Sequence, residues 1–174
     1  MSLIPQSWKA RRNFAGEGKV ALLVGALLVI GLFTHSYGYP NRTMLILRGI
    51  AAENAPRGQL DETSAKLYAV KSGYGARVLD VAGGTGEQMQ MTLDLVRYDP
   101  NVTALYGFSG GAISVLNVWN QLTPAEKFRI RKIVIVGAPG ITAQSFPGAT
   151  SVVIQDDPPE GHMNAPWALL KSLK

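Results

Sequence analysis

A chain of 174 residues, 47% of them apolar, is long enough for one domain with a substantial core and too apolar to be mainly disordered. It has no cysteine, which excludes disulfides, a cysteine nucleophile and thiolate metal sites. The net charge is +5, but outside a short cluster near the start the cations are dispersed along the sequence, a pattern that does not favour a nucleic-acid surface.

That cluster, Lys9, Arg11, Arg12 and Lys19, precedes the apolar run from Val20 to Phe33, and no charged residue follows before Arg42. Extended through Thr34 to Tyr39, with Tyr37 and Tyr39 as an aromatic edge, the run reaches the roughly twenty residues that a membrane span needs. A basic flank ahead of an apolar run predicts a cytoplasmic N-terminus and a translocated remainder. The lack of a small-x-small cleavage pattern favours a retained signal anchor over a cleaved signal peptide. A buried helix or strand of a soluble core is the alternative, and Gly25 and Gly31 weaken it as a long soluble helix. The expected organisation is a basic segment over 1–19, a transmembrane helix over 20–39 and one folded domain over 40–174.

After Pro40, short β-branched and leucine-rich runs alternate with helical stretches, the pattern of a parallel sheet covered by helices. Met44–Leu47 reads as a first strand, Leu60 to Gly73 as a helix capped by Asp61 or Thr63, and Arg77–Val81 as a second strand. Gly86 to Tyr98 reads as helix and Val102–Tyr106 as the third strand. A further helix runs from Gly110 to about Gln121, with apolar residues at 112, 115, 116 and 119 forming one buried face. Thr123-Pro-Ala-Glu126 combines an N-cap, a proline at the first helical position and a capping-box glutamate, and so starts a short helix. Lys132–Val136 and Ser151–Ile154 complete a mainly parallel sheet of about five strands, and Ala165 to Leu173 closes the chain as a helix. The fold class is α/β, with helices on both faces of the sheet.

Reactive groups in parallel sheets gather beyond the carboxyl ends of the strands, and every suggestive loop lies at such an end. After the third strand comes Gly107-Phe-Ser-Gly-Gly111, a Gly-x-Ser-x-Gly turn that opens a helix. In such a turn a strained backbone lifts the serine hydroxyl above the sheet edge, and the glycines remove clashes with the neighbouring strand and helix. A serine hydroxyl needs a base, and histidine is the usual one. Of the two histidines, His35 sits at the edge of the apolar segment, which leaves His162. A carboxylate must orient that imidazole, and Asp156 and Asp157 lie in the same loop, ahead of two prolines that stiffen the return. Taken singly, Ser109 reads equally as a helix N-cap, His162 as a surface residue and either aspartate as a turn cap. Their joint order and placement carry the catalytic reading.

From about Met44 onward the chain resembles a very short α/β-hydrolase, most similar in its economy to lidless, cutinase-like serine esterases. The resemblance rests on Gly107–Gly111, on the late Asp-Pro-Pro-Glu-Gly-His-Met run and on the strand arrangement. It implies hydrolysis of an ester or thioester through an acyl-enzyme on Ser109, without a cofactor or metal, on a small-molecule or lipid-like acyl substrate. It further implies an oxyanion hole with one donor from the Gly110 N–H. If the first strand neighbours the nucleophile strand, as the family's sheet order implies, the second donor is Ile50 or its neighbour. The glycine turn at 83–86 would then lie one strand further away. The chain departs from the family in having no lid, fewer strands and a tight Asp-to-His spacing, which leaves the acid open between Asp156 and Asp157.

Two other readings stand beside this one. Val78-Leu-Asp-Val-Ala-Gly-Gly-Thr-Gly86 resembles the first motif of class I methyltransferases, which bind S-adenosylmethionine. The acid expected at the end of the next strand is missing, however, and fewer than ninety residues follow Gly86. A membrane-anchored, non-catalytic module that keeps a hydrolase-like fold to bind a protein partner is the third.

Overall fold

The computed structural model describes residues 41–50 and 60–173. The segments expected over 1–19 and 20–39 lie outside the described residues, and among those described no helix is long and apolar enough to cross a membrane.

Strands β1 (Thr43–Leu47), β2 (Gly75–Leu79), β3 (Val102–Phe108), β4 (Lys132–Val136) and β5 (Val152–Gln155) form one parallel sheet in the order β2-β1-β3-β4-β5. The helices are α1 (Leu60–Lys71), α2 (Gly86–Tyr98), α3 (Gly110–Gln121), α4 (Pro124–Arg129) and α5 (Ala165–Ser172). The α/β class and its five-strand parallel sheet are therefore as expected, apart from element ends. β2 spans Gly75–Leu79 rather than Arg77–Val81, because its ladder with β1 runs from Thr43↔Gly75 to Leu47↔Leu79 and stops where β1 stops.

Both faces of the sheet are covered, and the strands alternate accordingly. Leu45, Leu47, Leu105, Ile133 and Ile135 pack with Leu93 and Val96 of α2 and with Val115, Val118 and Trp119 of α3. Met44, Ile46, Tyr106, Val134 and Val136 pack on the other face with Tyr68 and Ala69 of α1 and Leu169 of α5. The chain leaves β1 for a helix on one face and β3 for a helix on the other. The adjacent carboxyl ends of β1 and β3 thus form a topological switch point, where an open α/β sheet leaves a crevice for a ligand.

Candidate active site

β3 delivers its last residue, Phe108, directly into a distorted turn. Ser109 has φ 54° and ψ −121°, and it is the one non-glycine residue with positive φ among those described. An L-residue held there costs about 1–3 kcal/mol. Its backbone is fixed from both sides: the Ser109 N–H donates to the Val136 carbonyl at 2.9 Å, and the Ser109 carbonyl accepts from the Ala112 N–H at 3.0 Å. The side chain does not cap α3. Thr85 and Thr123 show what ordinary capping looks like here, with extended backbones and hydroxyls that accept from the Gln88 and Glu126 N–H groups. Ser109 has neither feature, so capping does not account for it.

The glycines of this turn are dictated by contact. A Cβ on Gly107 would lie 2.6 Å from the Ala112 Cα, and one on Gly111 would lie 2.2 Å from the Leu47 carbonyl oxygen. Helix α3 therefore starts pressed against the ends of both β1 and β3, with the Gly110 N–H at its first position, where no intrahelical acceptor exists.

The loop after β5 returns on itself through Pro158 and Gly161, whose N–H donates to the Pro158 carbonyl at 2.9 Å. The return places His162 Nδ1 2.8 Å from Asp157 Oδ1. Asp157, not Asp156, meets the imidazole; the Asp156 carbonyl accepts instead from Gln155 Nε2 at 2.8 Å, and its carboxylate makes no hydrogen bond to any described residue. The His162 ring stacks on Phe108 with centroids 4.9 Å apart, which sets the imidazole beside the residue preceding Ser109. No hydrogen bond joins the Ser109 hydroxyl to His162. Such bonds commonly tighten only once substrate is bound.

Gly137, just past β4, makes room for the pair. It has φ 59°, and a Cβ there would lie 2.8 Å from His162 Cε1 and 2.9 Å from Asp157 Oδ1. The sequence puts Gly137, in the Gly137-Ala-Pro-Gly140 loop after the fourth strand, at the suggestive edge but gives it no role, since a glycine after a strand signals a turn and says nothing about which side chains fold over it.

The loop after β1 closes the other side. Ile50 is 67% exposed, and a Cβ on Gly110 would lie 2.7 Å from Ile50 Cγ1, so the two candidate oxyanion residues are neighbours. The peptide between Gly49 and Ile50 is held by the glycine turn after β2, where the Gly83 N–H donates to the Gly49 carbonyl at 3.0 Å. A trans peptide directs its C=O and N–H oppositely, so this bond also fixes the direction of the Ile50 N–H, away from Gly83. The preceding peptide is held too: buried Gln88 donates through Nε2 to the Arg48 carbonyl at 3.3 Å and to the Val81 carbonyl at 3.0 Å. The Arg48 side chain is 2% exposed and pairs with both carboxylate oxygens of Asp61 at 3.3 Å and with Glu62 at 3.5 Å. Asp61, expected as a helix cap, is thus a buried ion-pair partner. Removing the guanidinium would leave its carboxylate buried without a cation, at a cost of about 3–5 kcal/mol.

β2 does lie one strand beyond β1, but the glycine turn folds across the end of β1 onto the elbow. A Cβ on Gly83 would lie 2.4 Å from the Arg48 carbonyl oxygen and 2.7 Å from the Gly111 nitrogen. Gly84 donates to Ser114 Oγ on α3 at 3.0 Å. The Gly83 and Gly84 N–H groups of this turn are thus spent within the protein. Among the described residues no group of three His, Asp or Glu side chains could hold a metal ion.

Comparison of the chain with protein-family models and with curated proteins gives no match. The functional reading rests on the geometry of these loops.

Proposed function

We propose that the protein is a small, membrane-anchored α/β-hydrolase that cleaves an ester or thioester through an acyl-enzyme on Ser109. The observation that carries the reading is the strained backbone of Ser109, which no capping bond explains, beside an imidazole already hydrogen-bonded to a carboxylate. β1 neighbours β3, as the family resemblance implies, and the switch point falls between them.

In this mechanism Asp157 holds the Nδ1–H of His162, leaving Nε2 free to accept the Ser109 proton as Oγ attacks the substrate carbonyl carbon. The carbonyl π electrons move to oxygen, and the Gly110 and Ile50 N–H groups stabilise that charge. Collapse of the tetrahedral adduct breaks the bond to the leaving alkoxide or thiolate, which takes the proton from Nε2. Water then repeats the sequence: it gives a proton to Nε2, attacks the acyl carbon and releases the acid, and Ser109 recovers its proton. The turn at Gly83 and the Gln88 amide act as positioning groups for the Ile50 peptide. Residues 20–39 serve as the signal anchor, with the domain on the far side of the membrane.

A fluorophosphonate probe tests the reading. It should label the full chain, and the label should vanish in Ser109→Ala. A folded wild-type protein that resists the probe refutes the mechanism, and a label that survives in Ser109→Ala refutes the assignment of the nucleophile.

A further inference from the structure

The cations that look dispersed in the sequence are gathered by the fold. All five strands are parallel, so their amino ends share one edge, and α2 and α3 also finish there. Around that edge lie Arg42, Lys71, Arg97, Lys127, Arg129, Arg131 and Lys132. Of its nearby acids, Asp99 pairs with Arg77 at 3.6 Å and Glu126 with Arg97 at 3.2 Å, while Asp94, one turn before Tyr98, accepts from Gln90 Nε2 at 2.9 Å. The opposite, carboxyl edge carries Asp80, Glu87, Asp156, Asp157 and Glu160. The domain is electrically polar along its strands, with the candidate active site at the acidic end.

Two large aromatic side chains project from the basic end. Tyr98, the last residue of α2, is 83% exposed, and Phe128 on α4 is 71% exposed. They lie on adjoining elements, because Arg97 bonds Glu126 of α4 and Arg129 Nη2 donates to the Val96 carbonyl of α2. The Arg131 guanidinium sits 4.6 Å from the centre of the Phe128 ring. Isolated exposed apolar residues need no explanation. Exposed aromatic rings set among cations that outnumber the nearby acids form the pattern that suits the interface of an anionic bilayer, where rings sit at headgroup level and cations meet lipid phosphates.

We infer that this basic edge, with Tyr98 and Phe128 as its aromatic contacts, docks on an anionic membrane surface and turns the Ser109 edge away from the bilayer. The inference rests on the reading of residues 20–39 as a membrane anchor but not on the hydrolase mechanism. The first strand begins at this edge, so the chain enters the domain there. β3 spans seven residues, which puts the site about 20 Å beyond the docked edge. The substrate that fits this orientation is an acyl ester or thioester presented from the aqueous side, on a soluble molecule or an extended polymer, rather than a lipid lying in the bilayer.

The absence of native cysteine permits a direct test. Full-length Tyr98→Cys, Phe128→Cys and Glu87→Cys variants, each carrying an environment-sensitive fluorophore, are reconstituted in lipid nanodiscs containing nitroxide-headgroup lipid. The discs are made with phosphatidylcholine alone or with added phosphatidylglycerol. Labels at 98 and 128 should be quenched strongly in the anionic discs, while the label at 87 should not. The quenching should be lost at about 1 M salt, where the Debye length falls to ~3 Å. Adding Lys127→Gln and Arg131→Gln should lower the docked-to-undocked ratio by about thirtyfold, from roughly fivefold per basic residue near an anionic leaflet. Equal quenching at 87 and 98, or quenching indifferent to lipid charge, overturns the inference. So does a label at 98 that responds to an added oligonucleotide and not to phosphatidylglycerol. A chain that enters neither disc defeats the anchor reading itself, while fluorophosphonate labelling of Ser109 reports separately on the hydrolase.

Discussion

Gly137 offers the sharpest separation of fold from chemistry. Replacing it with alanine adds one methyl group in a backbone conformation that L-residues resist, at a cost of about 1–2 kcal/mol. It also places Cβ 2.8 Å from His162 Cε1 and 2.9 Å from Asp157 Oδ1, where ordinary contact begins at 3.4 Å. The imidazole and its carboxylate must therefore move by the difference, 3.4 − 2.8 = 0.6 Å on the histidine side. Both are ends of side chains in an exposed loop, so they give way at little further cost in stability. Chemistry is less forgiving: a displacement near 1 Å costs about a hundredfold in rate, so the expected loss is about tenfold or more. Gly140, in the same loop, is the matched control. Its φ is 88° and nothing lies within 4 Å of a Cβ built there, so Gly140→Ala carries the backbone cost alone. The two variants should melt alike, while the fluorophosphonate labelling rate of Ser109 falls in Gly137→Ala and holds in Gly140→Ala. Equal labelling rates in two folded variants would refute the role given to the His162–Asp157 pair.

The strain at Ser109 is also measurable. Ser109→Gly should abolish labelling and yet raise stability by about 1 kcal/mol, the relief of strain less the added chain entropy of glycine; an unchanged or lowered melting temperature would mean that the turn holds no strain. Tyr106 governs an alkaline limit. Its phenol is buried without a hydrogen-bond partner and its pKa is raised, first by burial, then by Asp61 and Tyr68. The fold disfavours the ionised form, so this contribution to stability is complete below the unfolded value of 10.0 and falls as the pH rises past it. Tyr106→Phe should flatten that alkaline decline, with Tyr74, also raised by burial, keeping part of it. A denaturant titration series across pH 8 to about 12 reads the slope, and a slope identical to wild type would rule the phenol out as its source.

The parts legible in the sequence are those written locally. The continuous apolar runs in Met44–Leu47 and Lys132–Val136, the capping box at Thr123 and Glu126, and the Gly-x-Ser-x-Gly turn each depend on neighbours a few residues away. The tight return from Asp157 to His162 was legible for the same reason. Illegible were the relations set by where separate strands stop. The end of β2 follows the length of its partner β1, and the choice of Asp157 over Asp156 depends on which carboxylate the turn aims at the ring. Arg48, hydrophilic in sequence, is buried because the fold brings Asp61 and Glu62 of α1 over the end of β1. The charge polarity of the domain was hidden altogether, since parallel strands bring residues as far apart as Arg42 and Arg131 to one edge.

The glycine turn at 83–86 shows how one sequence pattern can carry two physical meanings. Glycine lets a backbone approach something closely, and a cofactor phosphate or ribose is only one such thing. Here the approached groups are the Arg48 carbonyl, the Gly49 carbonyl and the Gly111 nitrogen, all of them parts of the loops that meet at the switch point. Gly83 spends its N–H on Gly49, and Gly84 spends its own on Ser114 of α3. The turn therefore ties the loop after β1 to the start of α3, the two elements whose N–H groups must converge on one oxygen in the proposed mechanism. A hydrogen-bond donor for a developing charge is useful only if its peptide does not rotate at the moment of reaction. On this reading the glycines nearest in pattern to a cofactor site serve the serine, by holding the Gly49–Ile50 peptide still.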